Sequence, residues 1–411
     1  MATIFIFHRD LRLEDNQSLE YALSLNAPIL PVFIFTPEQV GKSAIVRSDK
    51  AIRCLQQSVY ELNEELLHHF KTNLCILEGD ILAELNKLNK EFDIKNLVET
   101  EDYTPYAKLR QEMIGEWCNQ HNIEYHLIED LYLFPIGSIK NKAGKMFQKF
   151  TPFYEQAKSK HIPKPTGLVK ATSKDFIDFP QVKLKKPDTK NLAYEGGRKE
   201  GLYLLDNLPD NYSKTHDIMA IPTSGLSVHH HNGTVSVRES YWASRNEEFR
   251  RQLFWRDYYA NIVYFFEDLY KDNPYTFDGY KKNAIFDFEN EVKNLTSEQK
   301  KDYDNWCKGE TGIDIIDAAM TQINESGYMH NRGRLLVSSY LIRDLGLHWR
   351  LGERYFANHL LDYDFSQNFC NWIFQASVLP FGRAPYAKDS AASYQKRFDP
   401  KREYVNTWLN S

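Results

Sequence analysis

Short β-branched runs alternate with longer amphipathic stretches through the first 130 residues, which predicts a strand–helix repeat. Residues 3–7, 29–35, 74–77, 97–99 and 125–128 read as buried strands, and the apolar spacing over 49–70 and 105–121 suits amphipathic helices. Strands separated by helices predict a parallel sheet covered on both faces, a Rossmann-like α/β domain. No GxGxxG fingerprint follows the first strand, so the sheet alone does not predict a dinucleotide there. From about 156 to 200 the texture turns to Lys, Pro and polar residues, including Lys183-Leu184-Lys185-Lys186-Pro187, and reads as a solvated connector rather than a DNA-binding tail. Beyond 200, helical periodicity dominates. Ile313, Ile316, Met320 and Ile323 share a face of a helix that ends at Ser326-Gly327, a C-cap pattern. The expected organisation is an α/β domain over 1–130, a connector over 131–200 and an all-α domain over 201–411.

Composition adds further constraints. The 411 residues are enough for two cores, with 42% apolar and 26% charged residues in an ordinary globular balance. Aromatic content is 14%, and six of the seven tryptophans fall after residue 240, so the two halves carry different work. The longest apolar run, 27–35, contains Pro28 and Pro31 and is too short to span a bilayer. The N-terminus enters a strand pattern without the basic region and cleavage site of a secretory signal. A cytoplasmic protein is expected, with a nuclear location also open. Five scattered cysteines without a CxxC pair read as reduced thiols, not a disulfide framework, zinc site or iron–sulfur site. A net charge of −5 argues against wholesale wrapping of nucleic acid but allows a local basic groove.

The densest chemistry lies between 311 and 408. It includes Gly327-Tyr328-Met329-His330-Asn331-Arg332-Gly333-Arg334, His348-Trp349-Arg350-Leu351-Gly352-Glu353, Leu361-Asp362-Tyr363-Asp364 and Asn368 to Asn371-Trp372. Arginines, acids, amides and indoles this close together suit a buried polar, planar ligand, because such groups are buried only when paired. The block closely resembles the flavin-binding region of the photolyase/cryptochrome family. Phe7-His8-Arg9-Asp10-Leu11-Arg12-Leu13 with Asp15-Asn16 resembles that family's opening signature. Within the family the chain is most similar to class I enzymes for cyclobutane pyrimidine dimers. The resemblance implies FAD as cofactor, UV-damaged DNA as partner, a monomer, and an α/β domain followed by an all-α FAD-binding domain.

The resemblance also assigns residues. Thr223-Ser224-Gly225-Leu226-Ser227 matches the turn that holds the flavin diphosphate, with Tyr212 completing the clamp; in isolation the same turn would read as a helix N-cap. His229-His230-His231 invites a metal, but consecutive histidines point in different directions, and no metal is expected. Arg334 and Asp362 match an ion pair against the flavin ring, and Asp364 a ribityl or ring contact. Asn368 matches the residue facing flavin N5, where the amide is the photolyase-like choice. Phe249, Gln252, Arg256, Tyr328 and Asn331 complete the expected cofactor contacts. Trp372 and Trp349 match the proximal and middle members of an electron relay. Its outer Trp is missing, since 291–305 contains none, and Trp306 or Tyr303 is the candidate replacement.

For substrate, Trp255 resembles the wall on which a flipped dimer stacks, a contact worth roughly 1–3 kcal/mol. Asn331 matches a lesion contact of cyclobutane-dimer enzymes, where (6-4) enzymes usually carry an essential His. Three positions depart from the pattern: Gln252 stands in place of Glu, Leu335 of Met, and Phe374 of a second pocket Trp. Leu361-Asp362-Tyr363-Asp364 and Asn371-Trp372 are similar to the DASH subgroup, which favours single-stranded DNA. Lys388, Lys396, Arg397, Lys401 and Arg402, with Arg332 and Arg383 upstream, read as a phosphate rail. An antenna pigment (folate, deazaflavin or flavin) is possible, but Ala107 stands where some relatives carry the folate-binding Glu. The expected activity is light-driven splitting of cyclobutane dimers. A cryptochrome photoreceptor, a (6-4) enzyme and a DASH-type enzyme are the alternatives.

Overall fold

The computed structural model describes residues 2–42, 44, 46–180, 185–269, 288–378 and 390–410. Lys183, Leu184, Arg383 and Lys388 lie outside these residues. Five strands, β1 (Ala2–Ile6), β2 (Ile29–Phe35), β3 (Cys75–Glu78), β4 (Ile94–Thr100) and β5 (Glu124–Ile128), form one parallel sheet in the order β3-β2-β1-β4-β5. The helices α1 (Gln17–Ser24), α2 (Pro37–Val40), α3 (Asp49–Phe70), α4 (Ile81–Glu91) and α5 (Pro105–His121) lie between the strands. Side chains alternate across the sheet as the strand period of two requires. Phe5 and Phe7 pack with Leu62 and Leu66 of α3, whereas Ile4 and Ile6 pack with Leu85 of α4 and Ile114 of α5. Both faces are therefore apolar, which explains why β1 and β2 read as continuous hydrophobic runs.

After β5 the chain enters helical territory. It runs through α6 (Phe150–Ala157), α7 (Arg198–Asp206), α8 (Tyr212–Thr215), α9 (Ser227–Asn232), α10 (Val237–Ala243) and α11 (Glu247–Phe265). It continues with α12 (Phe288–Asn294), α13 (Ser297–Lys308), α14 (Asp314–Ser326), α15 (Asn331–Arg343), α16 (Trp349–Ala357), α17 (Phe365–Ala376), α18 (Ala391–Phe398) and α19 (Glu403–Leu409). Ile316, Met320 and Ile323 of α14 are buried, and Gly327 ends that helix in the left-handed conformation at φ +73°. The segment 131–200 sends side chains into both cores: Leu133, Phe150 and Phe153 into the helical one, Val169 and Phe176 onto the sheet.

Where β1 and β4 adjoin, the connections leave in opposite directions, and polar side chains fill the crevice beyond the strand ends. Thr100 Oγ1 donates to Asp10 at 2.7 Å, and His8 Nε2 meets Glu99 at 2.5 Å. Arg12 and Arg238 enclose Asp130, with Arg238 also 3.0 Å from Asp15. All four of these charged side chains are buried. The opening signature thus ties the sheet to α10 in the helical part of the chain, and Arg12, Asp15, Asp130 and Arg238 each have an opposite partner.

Candidate functional site

A cavity of about 710 Å³ opens between α11, α15 and α17, a size suited to an extended organic cofactor. α11 contributes Phe249, Gln252, Trp255 and Arg256; α15 contributes Asn331, Arg332, Arg334 and Leu335; α17 contributes Asn368, Trp372 and Phe374. Asp362 and Asp364 come from the loop before α17, Tyr212 from α8, and Ser224 and Ser227 from the turn into α9. These sequence-expected residues, drawn from 212 to 374, line one cavity together with Tyr328 and Arg397. Thr223, Gly225 and Leu226 are not among the lining residues, and Thr223 Oγ1 lies 3.4 Å from the hydroxyl of Tyr328, which is. Gly225 is required by both space and backbone: its φ is +65°, and a Cβ would lie 2.5 Å from the Tyr194 ring. α9 begins at Ser227 with no side-chain cap.

The polar wall is built from paired charges. Arg334 Nη2 meets both Asp362 oxygens, at 3.0 and 2.8 Å, and its Nε donates to the Met329 carbonyl at 2.8 Å. Asp364 caps α17 by accepting from Gln367 N at 3.0 Å, and it pairs with Arg9, which arrives from the end of β1. Burial works to raise the Asp364 carboxyl, but the charges of Arg9, Arg256 and His231 outweigh it and hold the group down at about 2. Asn368 Nδ2 donates to Glu353 Oε1 at 3.1 Å, and the Tyr363 hydroxyl donates to the same oxygen at 3.2 Å. The amide hydrogens of Asn368 therefore point toward α16. Burial raises the Glu353 carboxyl, against these hydrogen bonds.

The three histidines diverge. His229 Nδ1 pairs with Thr234 Oγ1 and His230 Nε2 with Ser240 Oγ, and both His230 and His231 line the cavity. Burial and the neighbouring Arg9 charge hold the His231 imidazole down to about 4.

The indoles sit behind and beside this wall. Trp372 lines the cavity, and α16 approaches it so closely that a Cβ at Gly352 would lie 2.1 Å from Trp372 Cη2. Trp349 is buried against Phe369, ring centroids 5.5 Å apart. Phe356 stands between Trp372, at 5.2 Å, and Trp306, at 6.3 Å. Trp306 is fully buried, donates to the Val337 carbonyl at 3.1 Å, and stacks at 6.2 Å on Tyr303. Trp255, which also lines the cavity, stacks on Phe150 of α6 at 3.6 Å and 9°, while Phe374 stands edge-on at 6.5 Å. α6 thereby backs one face of the indole.

The basic residues divide. Arg256 donates to the carbonyls of Leu131 and His230, tying the connector to α11. Arg332 pairs with Asp217 at 2.6 Å, Lys401 with Glu403 at 3.8 Å, and Arg402 with Asp314. Lys396 and Arg397 are exposed, and Arg397 lines the cavity together with Arg251 and Arg343, two arginines that sequence reasoning missed. It also missed Glu248, Tyr259, Gln367 and Phe150. Of these, Glu248 had a readable signal, one helical turn before Gln252. In α5, Ala107 is buried.

A parallel α/β sheet is thus joined to a helical domain that gathers paired charges, hydroxyls and indoles around one large cavity, a setting for an extended polar, planar ligand. Residues 3–170 match the DNA photolyase family, and residues 249–411 match the FAD binding domain of DNA photolyase. An archaeal photolyase from Sulfolobus tokodaii, solved with two FAD molecules, is 30% identical with a TM-score of 0.81, over 100% of this chain and 90% of that one. The deoxyribodipyrimidine photo-lyase of Vibrio cholerae is 28% identical over 98% of this chain and 89% of its own length. Cryptochrome DASH from Idiomarina loihiensis is 25% identical over 98% and 92%. The chain belongs to the DNA photolyase/cryptochrome family. Its cofactor is FAD, and the cavity's charges and hydroxyls fit that group.

Proposed function

We propose that this protein is a deoxyribodipyrimidine photo-lyase that splits cyclobutane pyrimidine dimers in DNA, acting as a monomer. The observation that carries the reading is the shared cavity: the Trp255 indole, backed by Phe150, lines the same space as the Arg334–Asp362 pair and Asn368. When bound and reduced, FAD supplies the light-driven electron for ring splitting. The chain's part is position and environment. Arg334, Asp362 and Asp364 set fixed charges around the ring site, and the Ser224 and Ser227 hydroxyls serve the diphosphate. Asn368, its amide hydrogens held by Glu353, turns its carbonyl to the cavity. The open side of Trp255 takes the flipped base, and damaged bases cost least to extrude. Trp372 and Trp349, as readily oxidised rings, would pass electrons from a reductant in solution to the cofactor.

Arg251, Arg343 and Arg397 at the cavity supply phosphate contacts, which act locally whatever the net charge. Cytoplasmic residence alongside DNA accords with this work. A DASH-type preference for single strands is the second reading, favoured by the Idiomarina relative and the motifs Leu361-Asp362-Tyr363-Asp364 and Asn371-Trp372. Dark binding tests the pocket: oligonucleotides with one thymine dimer, single- and double-stranded, are compared with undamaged strands. Tighter binding of the damaged strand is expected, and a Trp255→Ala variant that keeps FAD should lose that preference. Equal affinity for damaged and undamaged strands would remove the reading.

A further inference from the structure

Glu248 and Gln252 stand one turn apart on α11, and both line the cavity that Trp255 walls. The Gln252 amide nitrogen donates to Glu248 Oε1 at 2.9 Å and lies 3.3 Å from the Glu248 carbonyl oxygen. An amide nitrogen has two hydrogens and a carboxylate only accepts, so this pair has one orientation. Turning the Gln252 amide over would set its oxygen against the Glu248 carboxylate. Both hydrogens are therefore directed back along the helix, and the carbonyl oxygen is the group left to face the cavity. Glu248 is itself steadied by Arg251, whose Nη1 lies 3.6 Å from Oε2 and whose guanidinium lies over Phe150 at 5.5 Å.

We infer that Glu248 determines specificity in this cavity by locking Gln252 as a one-way acceptor, so that the pocket takes the N3–H edge of a thymine dimer and rejects an edge presenting an acceptor there. The inference rests on reading the cavity as the pocket of a flipped dimer. A lone glutamine can turn its amide over and pair with either edge, so it discriminates little. A locked one leaves two acceptors facing each other when the wrong edge enters, and unpaired buried groups are what sites reject most strongly. Thymine offers N3–H, whereas 5-methylcytosine, of nearly the same shape, offers a bare N3 acceptor. A carboxylate at 252 would not serve equally, because two carboxylates this close cannot both stay ionised.

The test titrates the FAD-loaded full chain in the dark with oligonucleotides carrying a thymine–thymine dimer, a freshly made dimer containing 5-methylcytosine, or no damage. Wild type should prefer the thymine dimer by about tenfold, the cost of one mismatched buried edge. Glu248→Ala frees the Gln252 amide, and Glu248→Gln, of the same shape, permits the reversed orientation. In both, the preference should fall to about twofold, chiefly through tighter binding of the 5-methylcytosine dimer, a gain that mere loss of structure would not give. Flavin absorbance verifies that each variant is folded and loaded. Unchanged preference in both variants, or no preference in wild type that still binds dimers, would overturn this inference alone. Wild type that binds neither dimer above undamaged DNA would remove the flipped-dimer reading and this inference with it.

Discussion

Replacing Arg9 by Met exposes how firmly the sheet domain is coupled to the cofactor cavity. Arg9 lies between Asp364 and Asp102, 3.3 Å from the latter, and its Nε donates to the His231 carbonyl at 3.1 Å. Only 13% of the Arg9 side chain and 6% of the Asp364 side chain is exposed. Removing one partner of such a buried pair strands the other and costs about 3–5 kcal/mol. Linkage gives an independent figure. A carboxyl held at about 2 against an ordinary 3.8 corresponds to a contribution on the order of 2 kcal/mol. Because the folded-state value is depressed, this contribution is present above about pH 4 and is lost as the pH falls toward 2. The expected loss in Arg9→Met is therefore about 2–4 kcal/mol at neutral pH, measured by urea unfolding of the FAD-loaded protein. The difference between wild type and variant should shrink as the pH falls from 4 toward 2. An Arg9→Met/Asp364→Asn cycle isolates the pair. A coupling below about 0.5 kcal/mol, or a difference that does not change with pH, would refute the reasoning.

Three further outcomes are expected. Glu353→Gln releases the orientation of the Asn368 amide, so the bound flavin's visible spectrum and reduction potential should shift without loss of FAD; an unchanged spectrum and potential would remove Glu353 from that role. Phe150→Ala takes away the ring stacked behind Trp255 and should weaken dimer binding severalfold, within the roughly 1–3 kcal/mol of a base–aromatic stack, while undamaged DNA binds as before. Trp306 lies one ring from Trp372, so Trp306→Phe should slow light-driven reduction of the flavin; normal photoreduction would take Trp306 out of the path.

The fold was legible where local pattern and burial agree. β1 and β2 are buried on both faces and read as strands from their apolar runs alone. α14 declared itself through its apolar stripe and its terminal glycine. Much of the site was legible too, because Arg334, Asp362, Asp364, Asn368 and Trp372 lie in compact motifs. Long-range pairing was not. Arg9 and Asp364 are 355 positions apart, and a signature that looked self-contained at the N-terminus reaches the cavity through that contact. Phe150 lay in a segment read as connector, since its stacking on Trp255 depends on how α6 folds back over α11. Local charge clusters misled in another way. Arg332 and Arg402 looked available for phosphate, yet Asp217 and Asp314 hold them, and the unremarked Arg251 and Arg343 also line the cavity, Arg251 beside Glu248.

Blue-light repair of single defined lesions by the reduced, FAD-loaded protein tests the central claim most directly. The proposed reading, with Trp255 and Asn331 on one cavity, predicts restoration of a thymine cyclobutane dimer and none of a (6-4) product, with the single- to double-strand ratio measuring the DASH-like character. A protein that binds FAD and photoreduces it, yet restores neither lesion on either strand form, would contradict the account and leave a photoreceptor in its place.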